Sequence, residues 1–244
     1  MESCSAMKEI FILQHAAHEA PGFFAELLHQ HGLAFRVLHL YAGESLPRGV
    51  DAMRGLIMMG GPMSVNDEAI YPWLVPEMML IRQAVAAGIP TLGHCLGGQL
   101  VSKALGGVVS RNQVQEVGWH EVEKVASAAY TPWLENLPDR FSAFHWHGET
   151  FSLPPGAVHL LRNAHCEHQA FAIGAHVLGF QCHPEMTQDM VMQWTEVMGD
   201  DLLRASDSVQ DAESIRHDLP DKIRRLNAVA RWLYRPWFAQ ILLP

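Results

Sequence analysis

The tightest constraint on this chain is the stretch Gly93-His94-Cys95-Leu96-Gly97-Gly98-Gln99-Leu100. The short run Thr91-Leu92-Gly93-His94 reads as a strand that ends directly in Cys95. Leu96 to Leu105 has helix-forming composition until Gly106-Gly107 stops it. A strand must therefore turn into a helix within one residue, with the side chain at the apex held out, which is the spacing of a nucleophile elbow. Glycine is required at 93 and 97 because a β-carbon there would collide where strand and helix nearly touch. A turn of this kind belongs to an open α/β sheet.

The flanking sequence supplies that sheet. Residues 8–15 read as a buried strand, 23–31 as a helix stopped by Gly32, and Phe35 to Leu40 as a second strand. Gly55 to Gly60 is a further apolar run closed by Gly61-Pro62. Leu74, Met78, Ile81 and Val85 then recur at helical spacing before Gly88 and Pro90. The order βαββαβα predicts a mostly parallel open sheet covered by helices on both faces, with ligands at the carboxyl ends of its strands.

From Val117 to Cys182 β-branched and aromatic runs predict hairpin-like strands at one edge, over Trp119–Val125, Phe141–His147, Val158–Arg162 and Ala170–Gln181. A helix is predicted over Thr187–Met198, and a last one around Asp221–Leu233 after a polar segment. This divides the chain into a main domain, residues 1–200, and a helical extension, residues 201–244. The stripe Ile223, Leu226, Val229 and Leu233 suits docking on the main domain. Trp232, Trp237 and Phe238 leave a partner surface open.

Lys and Arg number 17 against 26 Asp and Glu, a net charge of −9, and the one short basic run is Lys222-Ile223-Arg224-Arg225. A surface that tracks phosphates needs more, so nucleic acid is not an expected partner. The apolar runs fall well short of the roughly 20 residues of a membrane span. Met1-Glu2-Ser3-Cys4 has neither a basic nor an apolar leader region, so the cytoplasm is the expected location. Cys4, Cys95, Cys166 and Cys182 are too irregularly spaced for a disulfide framework, which leaves free thiols.

A thiol nucleophile needs a group to carry its proton. Gly179-Phe180-Gln181-Cys182-His183-Pro184-Glu185 supplies one at a strand end. His183 and Glu185 stand two apart, project to the same side of an extended segment, and are stiffened by Pro184, so Glu185 can orient His183. Sulfur at a helix N-terminus also faces unpaired N–H groups that favour negative charge. Met59-Gly60-Gly61-Pro62 exposes backbone N–H groups after a strand, where Gly61 and Leu96 could together hold an oxyanion. The bland alternatives are core roles for Cys182 and His183, or a metal cluster of His145, His147, His165 and His168. Zinc sites usually carry tight ligand pairs such as C-x₂-C, which this chain lacks, so neither metal nor cofactor is expected.

Together the three segments resemble the class I, triad-type glutamine amidotransferases. Cys95 in Gly-His-Cys-Leu-Gly-Gly-Gln, His183 and Glu185 in His-Pro-Glu, and Gly60-Gly61-Pro62 match that family's blocks in order and spacing over about residues 8–200. The resemblance implies a flavodoxin-like three-layer fold. It also implies that Cys95 attacks the side-chain amide of glutamine, His183 gives a proton to ammonia, and Glu185 holds His183. It is nearest to the glutaminase domain of GMP synthase and its stand-alone relatives. Phe144-His145-Trp146-His147-Gly148-Glu149 echoes that enzyme's S-H-G-D block, with Trp146 in place of a small Ser and Cys182 in place of an aromatic. By the same resemblance Gly60, Gln99, Trp146 and His147 frame the substrate pocket.

Neither a Walker motif nor an ATP pyrophosphatase loop follows, so the ammonia goes to a separate synthetase or to none. Three readings stay open. One is glutamine amide hydrolysis, with or without an acceptor protein for the ammonia. Another is hydrolysis of a γ-glutamyl peptide or conjugate, for which Trp146 is the motive. The third is a non-catalytic binding partner that keeps the fold.

Overall fold

A computed structural model describes residues 8–125 and 131–243. Cys4 and the rest of the N-terminal segment lie outside them. The elements follow in the order β1 (Glu9–Gln14), α1 (Gly22–Gln30), β2 (Phe35–His39), β3 (Met53–Met58), α2 (Leu74–Ala86), β4 (Thr91–His94) and α3 (Leu96–Ala104). The long antiparallel pair β5 (Val109–Lys124) and β6 (Arg140–Phe151) comes next. After it run β7 (Val158–Arg162), β8 (Ala170–Ile173), β9 (Val177–Phe180), α4 (Gln188–Val197), α5 (Ala212–Arg216) and α6 (Leu219–Ile241).

Among the described residues, nine strands join one sheet in the order β2-β1-β3-β4-β9-β8-β7-β5-β6. The first five are mutually parallel and the rest are antiparallel. The pleat sends successive side chains to opposite faces. Ile10 and Ile12 of β1 join α1, α4 and α6 in one core, while Phe11 and Leu13 join α2 and α3 in the other. No helix among the described residues is long and apolar enough to cross a membrane.

Three elements depart from the sequence expectation. The run Ala170–Gln181 is two strands, because Gly174 turns at positive φ and folds β9 back on β8. β9 then leaves the edge and pairs in parallel with β4. β5 starts ten residues before the expected Trp119, in polar sequence without apolar alternation, and its register shifts between Arg111 and Glu116. The last helix runs eight residues past Leu233 and through Pro236, which has no N–H to donate.

Packing explains that continuation. Trp237 and Ile241 lie over Gly55 of β3, and Trp237 meets Phe24 edge-on at 5.3 Å between ring centroids. Trp237 and Phe238 thus turn inward, and of the three aromatics only Trp232 is exposed. The helix docks on the main sheet, as the stripe Ile223, Leu226, Val229 and Leu233 suits, and Trp237 and Phe238 are not available to the partner surface that the sequence left open. Removing a fully buried indole should cost about 4 kcal/mol. Trp237→Ala is expected to lower the unfolding free energy by that amount, read as a urea midpoint lowered by that loss divided by an unchanged m-value. A loss below about 1 kcal/mol would show that α6 contributes little to the core.

Candidate active site

β3, β4 and β9 are neighbours in the sheet, and their carboxyl ends are level, with Met58 opposite Gly93 and His94 opposite Phe180. Chain segments around positions 60, 95 and 183 therefore leave the sheet side by side. A β-carbon on Gly97 would overlap the carbonyl of Met58, and one on Gly93 would overlap the backbone of Gly97. The two glycines are what allow α3 to start directly against the strand ends.

Cys95 stands at the N-terminus of α3 with φ 50° and ψ −107°, an unfavourable conformation for a residue with a side chain. Its N–H donates to Phe180 O at 2.8 Å, which pins the kink to β9. The thiol lies 3.9 Å from the carbonyl oxygen of Trp146, and Gln181 Nε2 approaches the sulfur at 3.5 Å.

His183 is held from three sides. Its N–H donates to Phe144 O at 2.8 Å, its ring meets Trp194 edge-on at 4.9 Å, and its Nδ1 is 2.7 Å from Glu185 Oε1. With Nδ1 engaged, Nε2 has no conventional partner and lies within electrostatic reach of the Cys95 sulfur. Burial alone would lower the His183 pKa. Glu185, helped by Cys95, outweighs it, and the pKa ends well above the ordinary value. Burial likewise pushes Glu185 upward, but His94 and His183 turn the balance and its carboxyl sits below the usual range.

Behind Glu185 a second layer reaches the C-terminal helix. His94 Nε2 is 3.7 Å from Glu185 Oε2 and 2.8 Å from the hydroxyl of Tyr234 on α6, all three fully buried. Burial drives the His94 pKa down to about 4, which keeps that ring neutral.

A cleft of about 640 Å³ opens over the sulfur, lined among others by Glu19, Gly61, Gln99, Trp146, His147 and Asp201. Leu96 begins α3, and its side chain packs against Gly61, so the two residues predicted to supply oxyanion donors are neighbours. Gln99 lines the wall and donates to Gln181 Oε1 at 3.2 Å. Trp146 does too, but its Nε1 donates to Asp201 at 2.8 Å. Gly60 is absent from the lining. It lies beneath the Glu19 carboxylate, which a β-carbon there would strike.

His147 lines the cleft, yet both its ring nitrogens are engaged, Nδ1 with Glu149 O at 2.9 Å and Nε2 with Glu116 at 2.9 Å. Glu116, His145 and His147 bring three potential metal-ligand atoms within 4.8 Å of one another, a set different from the four histidines singled out in the sequence. Glu116 also accepts from Asn163 and Gln169, so its oxygens are already occupied within the protein. Sequence reasoning missed Glu116, Glu19, Gln181, His94 and Tyr234. Only Gln181 and His94 carried a signal, as neighbours of the two motifs.

A family model for class-I glutamine amidotransferases matches residues 28–192. The glutamine amidotransferase-like protein YfeJ of Salmonella typhimurium is 30% identical over 185 residues, spanning 75% of this chain and 77% of that protein. GMP synthase of Thermomicrobium roseum is 40% identical over 134 residues, 54% of this chain but only 23% of the synthase. Among solved structures, a glutamine amidotransferase from Methylobacillus flagellatus superposes with a TM-score of 0.90 at 39% identity, covering 96% of this chain and 95% of that one. A glutamine amidotransferase from Thermotoga maritima gives 0.85 at 28% identity, covering 97% and 99%.

The carboxyl of Glu19 makes the site's electrostatics measurable. Burial, opposed by His183 and reinforced by Glu185, lifts its pKa from 4.5 to about 7. Between those values the folded chain keeps a proton that the unfolded chain has released. Stability therefore falls as pH rises through this window, and the whole loss is present above it. Glu19→Gln, which has no charge to bury, is expected to raise Tm relative to the parent protein more at about pH 8 than at about pH 5. Equal shifts at both would mean that the carboxyl titrates as an exposed one does.

Proposed function

The chain belongs to the class-I glutamine amidotransferases, and on that premise we propose that it hydrolyses the side-chain amide of L-glutamine through a thioester on Cys95. The sulfur, giving its proton to His183 Nε2, adds to the amide carbon. Charge gathering on the amide oxygen is received by the N–H groups of Gly61 and Leu96. His183, oriented by Glu185, returns the proton to the nitrogen, which leaves as ammonia. The same ring then deprotonates a water that releases glutamate and regenerates the thiol. No metal or cofactor is required at any step.

The observation that carries this reading is the 2.7 Å His183–Glu185 contact, buried behind the cleft that Cys95 lines, with the opposite ring nitrogen left without a partner and the thiol held on a kinked backbone. Gln99, Trp146 and His147 are assigned to the wall that frames the glutamyl group. Residues 1–200 carry the chemistry, and residues 201–244 form an extension whose Tyr234 backs the triad through His94.

A second reading shares the first half of the mechanism but takes a γ-glutamyl bond in a peptide or conjugate. The Trp146 indole, tied to Asp201, favours it by reshaping the wall where the GMP synthase block has a small serine. Delivery of ammonia to a separate synthetase belongs to the first reading, and release of an amine into solution to the second.

Cys95→Ser and His183→Ala are each expected to lower ammonia release from L-glutamine by about 10³-fold or more, and Glu185→Gln by about 10²-fold. A coupled glutamate assay reads these losses; near-normal turnover by Cys95→Ser would sink the Cys95 thioester in both readings, and no turnover by the parent protein on either substrate would leave a binding role. Comparing kcat/KM for L-glutamine with that for γ-glutamyl peptides separates the two. A clear preference for the peptide selects the second.

A further inference from the structure

Glu19 follows β1 in a loop closed by its own N–H on Ala16 O at 3.1 Å. The side chain is 6% exposed and lines the same cleft as Cys95 and Gly61, and its Oε2 has no hydrogen-bond partner. An unpartnered carboxyl oxygen in so buried a place is costly unless a ligand completes it. Gly60 makes room for it, since any β-carbon there would strike the carboxylate. The titratable groups it faces are His183 and Glu185 from the β9 end and His15 from the β1 end. His15 is committed elsewhere, to Glu77 at 3.0 Å and Met59 O at 2.9 Å. The carboxyl therefore lines the cleft with the Cys95 sulfur, within electrostatic reach of His183 and beside the turn that carries Gly61.

We propose that Glu19 is the seat of the leaving nitrogen, its carboxyl binding the ammonia, or the primary amine of a γ-glutamyl conjugate, that departs when Cys95 is acylated. The assignment rests on the thioester chemistry given above. In that step the Cys95 sulfur–carbon bond forms and the carbon–nitrogen bond breaks, and the thiol proton reaches the nitrogen through His183. Neutral ammonia then meets a carboxyl whose pKa burial raises to about 7. Ammonia, the stronger base, takes that proton, and an ammonium–carboxylate ion pair results. Glu19 regains a proton from water when the ammonium leaves. The site is specific for a nitrogen that can accept and donate hydrogen bonds.

The test reads what happens to the acyl-enzyme when an amine competes with water. Enzyme turning over L-glutamine with hydroxylamine present yields glutamate and γ-glutamyl hydroxamate from one thioester, so their ratio does not depend on how fast the thioester forms. Glu19→Gln is expected to lower the hydroxamate-to-glutamate ratio about tenfold and to abolish its saturation with hydroxylamine. A ratio within about twofold of the parent protein's would overturn the proposal, as would equal loss of both products alongside a fallen Tm. If Glu19→Gln fails to fold, Glu19→Asp draws the carboxyl back by one methylene, and the same ratio decides. A second measurement needs no turnover. Ammonium chloride, against sodium chloride at equal ionic strength, is expected to slow alkylation of Cys95 by iodoacetamide in the parent protein and not in Glu19→Gln. Equal effects on both proteins refute the assignment. If the parent protein releases no glutamate, the glutaminase reading fails by itself, and the alkylation experiment still judges Glu19.

Discussion

The in-register parallel pairing of β3, β4 and β9 is the constraint on which the site depends. Segments 120 residues apart in the chain become neighbours because Met58, Gly93 and Gly179 share one level of the sheet. The backbone contact is close enough that α3 must start with glycines against Met58 and Phe180. A slip of one residue in β9 would turn every side chain on it to the opposite face. It would also move Phe180 O away from the Cys95 N–H that it accepts at 2.8 Å. The strained φ of Cys95 is held by this pairing and by the start of α3, which together over-determine a conformation that would otherwise relax.

Around that frame the chain buries an unusual number of ionisable groups. Glu19, Glu77, Glu116 and Glu185 are all nearly or fully inaccessible. Three of them have histidine partners at 3.0 Å or less, Glu77 with His15, Glu116 with His147, and Glu185 with His183. Burial opposes the charged form in each pair, and the partner with its hydrogen bonds offsets the opposition. Glu19 has no such partner. The same physics that drives its pKa upward leaves Glu19 with an unpartnered oxygen, as Glu185 is left with Oε2, but Glu19 alone of the two lines the cleft.

Much of this was legible from residue order. The elbow at Cys95, the alternation of strands and helices to residue 105, and the His183–Glu185 spacing each follow from a local rule about turns, periodicity or side-chain direction. What local rules could not reach were positions set by tertiary contact. β5 begins in a polar stretch, Ser110 to Gln115, whose irregular register lines the cleft, and no apolar alternation marks it. β9 was hidden within one apolar run because strand and turn there differ only by the positive φ of Gly174. α6 passes Pro236 because inward packing of Trp237 and Ile241 outweighs one missing hydrogen bond. Glu19 and Glu116 belong to no motif, and only the fold brings them to the site.

The C-terminal helix shows how far the catalytic arrangement extends beyond its motifs. The residues matched by the family model end at 192, whereas Tyr234 lies 42 residues further on and hydrogen-bonds His94, the residue immediately before Cys95. His94 in turn stands between that hydroxyl and the outer oxygen of Glu185. Because burial keeps this imidazole neutral above about pH 4, it adds no second buried cation beside His183, and its charge helps hold the Glu185 pKa down only once the ring is protonated. A charged ring there would compete with His183 for the same carboxylate and weaken the orientation that leaves Nε2 free for sulfur. Tyr234 is itself fixed by Phe24 edge-on at 4.8 Å and by Phe180 at 6.0 Å, so α1, β9 and α6 jointly hold the layer behind the triad. α6 is thus part of the electrostatic setting of Glu185 and His183 as well as of the apolar core.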